Sequence, residues 1–106
     1  MLDIPVVGVK SSSYLAQIHD DVVLHCEVQF GSFVEYLYWQ QDCLNLTVSN
    51  TVRYSGGTLD SPSLVIHNVT YEYTGYFTCN VMNQYGTGTS LFITLTVVGD
   101  VVGKFV

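Results

Sequence analysis

The sequence predicts an all-β fold, a sandwich or barrel of short strands, on three observations. Strand-forming residues dominate: 8 Tyr, 5 Phe and 1 Trp stand among many Val and Thr, a mix that suits pleated, half-buried strands better than helices. Apolar residues recur at every second position in several short runs, and no ten-residue window carries an apolar stripe at helical period. Clusters of turn-forming residues separate these runs.

The runs follow one another along the chain. Val22, Leu24, Cys26 and Val28 alternate with Val23, His25 and Glu27. Leu37 and Trp39 alternate with Tyr36, Tyr38 and Gln40. Leu64 and Ile66 follow the turn signal Ser61-Pro62-Ser63. Phe77, Cys79 and Val81 alternate with Tyr76, Thr78, Asn80 and Met82. Leu91, Ile93, Leu95 and Val97 alternate with Phe92, Thr94 and Thr96. In each run the first set is expected to face the core and the second to leave it. Between the runs lie Gly31-Ser32, Asp42 to Asn45, Ser55-Gly56-Gly57 and Gly86-Thr87-Gly88.

A chain of 106 residues fits one domain, read here as residues 1–98, with 99–106 as a linker or tail. With 48% hydrophobic and 11% charged residues, it has material for a sizeable core and does not read as disordered. The formal charge is −6, with only Lys10, Arg53 and Lys104 on the basic side. Such a surface repels a phosphate backbone, so no nucleic-acid partner is expected. The charges are scattered, which is the pattern of a solvated surface. No apolar stretch of about 18 residues occurs, so no direct membrane insertion is expected from this segment. Met1 to Pro5 has no basic stretch leading into an apolar one, unlike a signal peptide, so a secreted protein with this sequence is expected to be a mature segment or an excised domain.

Cys26 and Cys79 lie in register with large apolar residues on their strands, so both are expected to point inward. Trp39 stands 13 positions after Cys26 and 40 before Cys79. A Cys…Trp…Cys frame among seven or more short strands characterises immunoglobulin domains. Other segments extend the resemblance. Tyr71-Glu72-Tyr73-Thr74-Gly75-Tyr76-Phe77-Thr78-Cys79 resembles the superfamily's E–F corner and F strand, usually Asp-x-Gly-x-Tyr-x-Cys. The run from Cys79 to Gly86 is similar to the Cys-x-Ala-x-Asn-x-x-Gly of I-set domains, and Ser63 to Val69 to the E strand. With strands B and C, the resemblance covers nearly the whole chain. It implies an immunoglobulin-like β-sandwich of two antiparallel sheets with Greek-key connections. It further implies a Cys26–Cys79 disulfide formed in an oxidising compartment, with Trp39, Leu24, Leu64 and Phe77 in the core around it.

The forty positions from Trp39 to Cys79 leave room for strands C′, D and E but hardly for C″, so the I-set is preferred to the V-type. Against that preference, Tyr85-Gly86-Thr87-Gly88-Thr89-Ser90-Leu91 resembles the Phe-Gly-x-Gly-Thr-x-Leu joining segment of V domains. We read it as a glycine-rich turn entering strand G. Two positions depart from the family pattern. Phe77 stands where the corner Tyr is usual, removing a hydroxyl whose hydrogen bond is worth about 1 kcal/mol. Tyr73 stands where Asp is usual, leaving Arg53, which resembles the family's D-strand arginine, to find Glu72 or Asp60 instead.

Nucleophilic catalysis needs Ser or Cys beside a His with a third group orienting it. His19, His25 and His67 sit in no motif with a nucleophile, and the chain does not read as an enzyme. His25 and His67 are expected to point outward from neighbouring strands B and E, but two histidines make a poor metal site. No metal and no cofactor is expected.

The outward residues of strands C, F and G include Tyr36, Tyr38, Gln40, Tyr76, Met82 and Phe92. Four aromatics and a Met on one solvent face exceed what solubility requires, and these types are enriched where proteins meet. The plainer alternative is that they are cross-strand pairs stabilising the sheet. The resemblance favours an interface, because V-type and related adhesion and immune-receptor domains pair through this face. Sequons at Asn45-Leu46-Thr47 and Asn68-Val69-Thr70 fit a secreted chain and avoid the centre of the face. Cys43, just past strand C, is the odd cysteine: buried as a small hydrophobe, free, or bridged to a second chain.

The expected function is therefore an extracellular or cell-surface protein-binding module for adhesion or recognition. It would act through the C–F–G face, with homodimerisation as one form. The alternatives are an immune receptor domain binding a foreign ligand and a structural spacer in a multi-domain chain.

Overall fold

The computed structural model describes residues 4–31, 33–49 and 51–99. Among the described residues there are eleven strands: β1 (Val6–Gly8), β2 (Ser13–Gln17), β3 (Val22–Leu24), β4 (Glu27–Phe30), β5 (Tyr36–Gln41), β6 (Leu44–Asn45), β7 (Tyr54–Gly56), β8 (Leu64–Ile66), β9 (Gly75–Asn83), β10 (Gly86–Thr89) and β11 (Ile93–Val98). One layer has the order β2-β11-β9-β5-β6, with β10 also on β9; the other is formed by β3-β8-β7 and the pair β1-β4. Strands C, C′ and F are β5, β6 and β9, and strand G is divided into β10 and β11. The sheets are antiparallel with one exception: β2 runs parallel to β11, Ser13 pairing with Thr94 and Gln17 with Val98. The proposed tail from Asp100 onward lies outside the described residues.

The layers enclose one core. Leu24, Trp39, Leu64, Ile66, Val69, Phe77, Cys79, Val81, Ile93 and Leu95 are fully buried. Cys26 and Cys79 form a disulfide across the layers with Cα atoms 6.4 Å apart. Trp39 is the cross-strand neighbour of Cys79, and its Nε1–H donates to the Pro62 carbonyl at 2.9 Å. Pro62 thus provides the acceptor that a buried indole needs, a role invisible in a turn signal.

Strand B is broken where the sequence alternates cleanly. The Cys26 N–H donates to Ser63 Oγ at 3.1 Å and the His25 N–H to the Tyr14 hydroxyl at 3.2 Å. Side-chain hydroxyls replace ladder partners there, so the run divides into β3 and β4.

Strand G departs further from expectation. The turn is only Gln84-Tyr85, and Gly86–Thr89 is itself a strand, paired with Asn80–Asn83. Past it, the Ser90 hydroxyl accepts the Cys79 N–H at 3.0 Å while its own N–H donates to the Cys79 carbonyl at 2.9 Å. The buried positions are even up to Ser90 and odd from Ile93, the phase change of an inserted residue at a bulge. Leu91, expected inside, is therefore 76% exposed.

The E–F corner is rebuilt around its two departures. Arg53 Nη1 pairs with Glu72 Oε2 at 2.8 Å and donates to the Tyr73 hydroxyl, so Glu72 rather than Asp60 takes the arginine. The Tyr73 ring is buried, meets Tyr54 edge-on at 6.2 Å and lies under the guanidinium at 5.7 Å. An aromatic and cationic stack occupies the place of the usual Arg–Asp pair. Phe77 brings no hydroxyl, but Thr74 Oγ1 accepts the Val97 N–H at 2.9 Å and ties the corner to β11.

Candidate functional site

The outer face of β5, β9, β10 and β11 is built by register. Tyr36 lies beside Met82, Tyr38 beside Asn80 and Gln40 beside Thr78; on the other side, Met82 meets Thr87, Asn80 meets Thr89, and Tyr76 meets Thr94. The aromatics do not form one continuous patch. Tyr36 and Tyr38 stack with ring centroids 5.6 Å apart, and Tyr76 meets Phe92 at 5.9 Å and 67°. Asn80 and Tyr76 are four residues apart on β9, which separates the two pairs by about 13 Å at strand rise.

Between the pairs lies a polar floor. Thr78 and Asn80, expected to be solvent-facing, are only 8% and 3% exposed. They point outward by alternation, but neighbouring side chains cover them. Asn80 Nδ2 donates to the Tyr38 carbonyl and to Thr78 Oγ1, both at 3.3 Å, and its Oδ1 accepts from Thr89 Oγ1 at 2.9 Å. A floor satisfied in this way holds its side chains in place. Tyr36, Tyr76 and Phe92 are exposed, whereas Tyr38, Gln40 and Met82 are half-buried.

None of the strands in this sheet contains Asp, Glu, Lys or Arg. Charges stand at its margins: Glu35 directly before β5, Asp42 in the hairpin from β5 to β6, and Asp60, which lines a hollow together with Tyr36. That hairpin has two central residues of positive φ, Asp42 at 50° and Cys43 at 69°, the mirror-image turn that matches strand twist. Asp42 Oδ1 accepts the Tyr76 N–H at 3.0 Å, an approach Gly75 permits, since a Cβ there would lie 2.7 Å from the carboxylate. Cys43 is a free, exposed thiol. Asp42, Cys43, Tyr76 and Phe92 line a shallow, open hollow of about 510 Å³.

Of the two sequon asparagines, Asn68 is exposed at φ 54° in the E–F connection. Asn45 is on β6, and its Oδ1 accepts from Gln40 Nε2 at 2.8 Å, which places it at the rim of the aromatic face.

A second polar cluster lies on the other layer. His67 Nδ1 is 3.2 Å from Asp21 Oδ2, and His67 Nε2 is 2.6 Å from Ser55 Oγ. The motif reading missed this because Ser55 and His67 come together only through register: Ser55 pairs with Val65 and the Arg53 carbonyl accepts the His67 N–H, making them diagonal neighbours. Asp21 comes from the turn before β3. Among the described residues, no three His, Cys, Asp or Glu side chains group as metal ligands.

The Asn68 N–H, with help from the His67 ring, holds the Asp21 carboxyl below its ordinary range. An unfolded chain therefore takes up this proton at higher pH than the folded one. The stabilisation is complete above about pH 5 and is lost as pH falls through and below the ordinary carboxylate value. Asp21 is exposed, so the effect is small. Melting temperatures in buffers from about pH 6 to pH 2 should fall less steeply for Asp21→Asn than for the parent; equal slopes would remove the assignment.

The immunoglobulin-domain family model matches residues 4–83, and the chain belongs to that family. No curated protein matches it. Solved structures with the same fold include the tandem Ig repeats of Dlar, at 24% identity and a TM-score of 0.80 over 94% of this chain and 51% of that one. The N-terminal Ig1-2 module of the Drosophila receptor protein tyrosine phosphatase DLAR matches at 25% identity and TM-score 0.72, over 92% of this chain and 47% of that one. The N-terminal four Ig domains of Dscam1 isoform 1.9 match at 17% and 0.70, over 88% and 20%. The chain thus spans about half the length of the two Dlar structures.

Proposed function

We propose that this domain is an extracellular recognition module that binds a protein partner, a second copy of itself included, through the face of β5, β9, β10 and β11. The observation that carries this reading is a sheet whose strands contain no charged residue and whose outer face has exposed aromatics at both ends, in a chain of net charge −6. Exposed Tyr and Phe in such a place are the residues that anchor interfaces, and strands without charged side chains leave the repulsion between two acidic molecules there to the carboxylates at the margins, Glu35 and Asp42. The Cys26–Cys79 bridge supports an oxidising location, and likeness to repeats from a receptor phosphatase ectodomain agrees with a cell-surface role. A glycan on Asn68 would leave the face open, whereas one on Asn45 would stand at its rim.

Sedimentation velocity over a concentration series tests self-pairing: a reversible rise in mass is expected, while a monomer at every concentration is what a spacer domain gives. The Cys43 thiol, exposed beside the Tyr76–Phe92 hollow, should take up one maleimide per oxidised chain, and Cys43→Ser should take up none. A non-reducing gel showing a dimer band that this substitution abolishes would instead assign Cys43 to a bridge across the interface.

A further inference from the structure

Asp21, His67 and Ser55 form a continuous hydrogen-bonded line on the layer opposite the aromatic face. An ionised carboxylate only accepts hydrogen bonds, so His67 Nδ1 carries the proton shared with Asp21 Oδ2 at 3.2 Å. In the neutral ring Nε2 is then an acceptor, and the Ser55 hydroxyl donates to it at 2.6 Å. The second Asp21 oxygen is held by the Asn68 N–H at 2.9 Å, which fixes the carboxylate against the ring. Nucleophile, base and orienting group stand in the relation that activates serine for acyl transfer on unrelated folds.

We infer that Ser55 is an activated nucleophile that accepts acyl and phosphonyl groups from electrophiles with good leaving groups. This activity goes beyond the binding reading and does not depend on it. Ser55 is exposed on β7, the edge strand of its sheet, so an electrophile reaches it from solvent. A hollow of about 200 Å³ is lined by His67 and Asn68 among others but not by Ser55, so the serine is approached directly from solvent. In the reaction with an ester, Ser55 Oγ bonds to the carbonyl carbon and its proton passes to His67 Nε2. The bond to the leaving oxygen then breaks, and the departing group takes that proton. Water attacking the acyl-serine by the same route releases the acid and restores Ser55. With a fluorophosphonate, the Oγ–P bond forms as P–F breaks, fluoride departs, the proton reaches solvent through His67, and the adduct remains. The array activates the nucleophile and no oxyanion donor is assigned, so activated esters and fluorophosphonates are the expected substrates rather than peptides.

The test is incubation of the oxidised, folded chain with a fluorophosphonate probe, followed by peptide mass spectrometry. The expected result is one adduct per chain, on Ser55. It should be absent in Ser55→Ala and form roughly a hundredfold more slowly in His67→Ala and Asp21→Asn, with all variants melting cooperatively. No adduct on Ser55 in the folded parent chain overturns the inference. So does labelling of Ser55 at an undiminished rate in His67→Ala or in the urea-unfolded parent.

Discussion

Replacing Cys26 and Cys79 together by Ala is expected to lower stability by about 4 kcal/mol. The bridge closes a loop with a sequence separation of 53, and the loss of loop-closure entropy in the unfolded chain gives that magnitude. Single substitution would be worse, since it leaves an unpaired thiol against the indole. Domains of this size hold roughly 5–15 kcal/mol in total, so the double variant should melt on the order of 20 °C lower. Trp39, the only tryptophan, is fully buried beside Cys79, and its fluorescence reports the transition. Denaturant unfolding of the two oxidised proteins measures the difference. A loss under about 1 kcal/mol would mean that the sheets are held by packing with little help from the bridge.

The second large effect concerns association. Tyr36→Asp with Tyr76→Asp places a carboxylate in each aromatic pair of the proposed interface. Both side chains are more than half exposed, so the fold should survive with a small change in melting temperature. Hot-spot aromatics typically contribute 2 kcal/mol or more, and burying an unpaired charge adds to the loss. Association should weaken at least a hundredfold, about 2.7 kcal/mol. Val23→Asp, on the opposite layer, is the matched control. Unchanged dimerisation or partner binding in the double variant would reduce the aromatics to cross-strand packing. Tyr36 is a better target than Tyr38, which is half-buried beneath its stacking partner.

The position of the candidate face was legible because side-chain direction in a strand has a period of two. Tyr36, Tyr76 and Phe92 could be assigned to the solvent side from parity alone. The division of the face into two aromatic pairs over a covered polar floor was not legible. Alternation says which way Thr78 and Asn80 point, but not that neighbouring side chains cover them.

By itself the sequence determined the all-β class, the family, and the pairing of Cys26 with Cys79 around Trp39, because these rest on local periodicity and on spacings characteristic of one fold. Tertiary structure decided everything that depends on a side chain meeting a partner far along the chain. Ser63 and Tyr14 interrupt strand B from 37 and 11 residues away. Ser90 captures the backbone of Cys79 and shifts the phase of strand G, turning Leu91 outward. Glu72 and Tyr73 together take Arg53, and Pro62 satisfies the Trp39 indole. The Asp21–His67–Ser55 line spans 46 and 12 residues, and only the register of β7 on β8 makes its serine and histidine neighbours. Such contacts leave no mark in local propensity, since hydrogen-bond partners are chosen by sheet register, which the packed core sets as a whole.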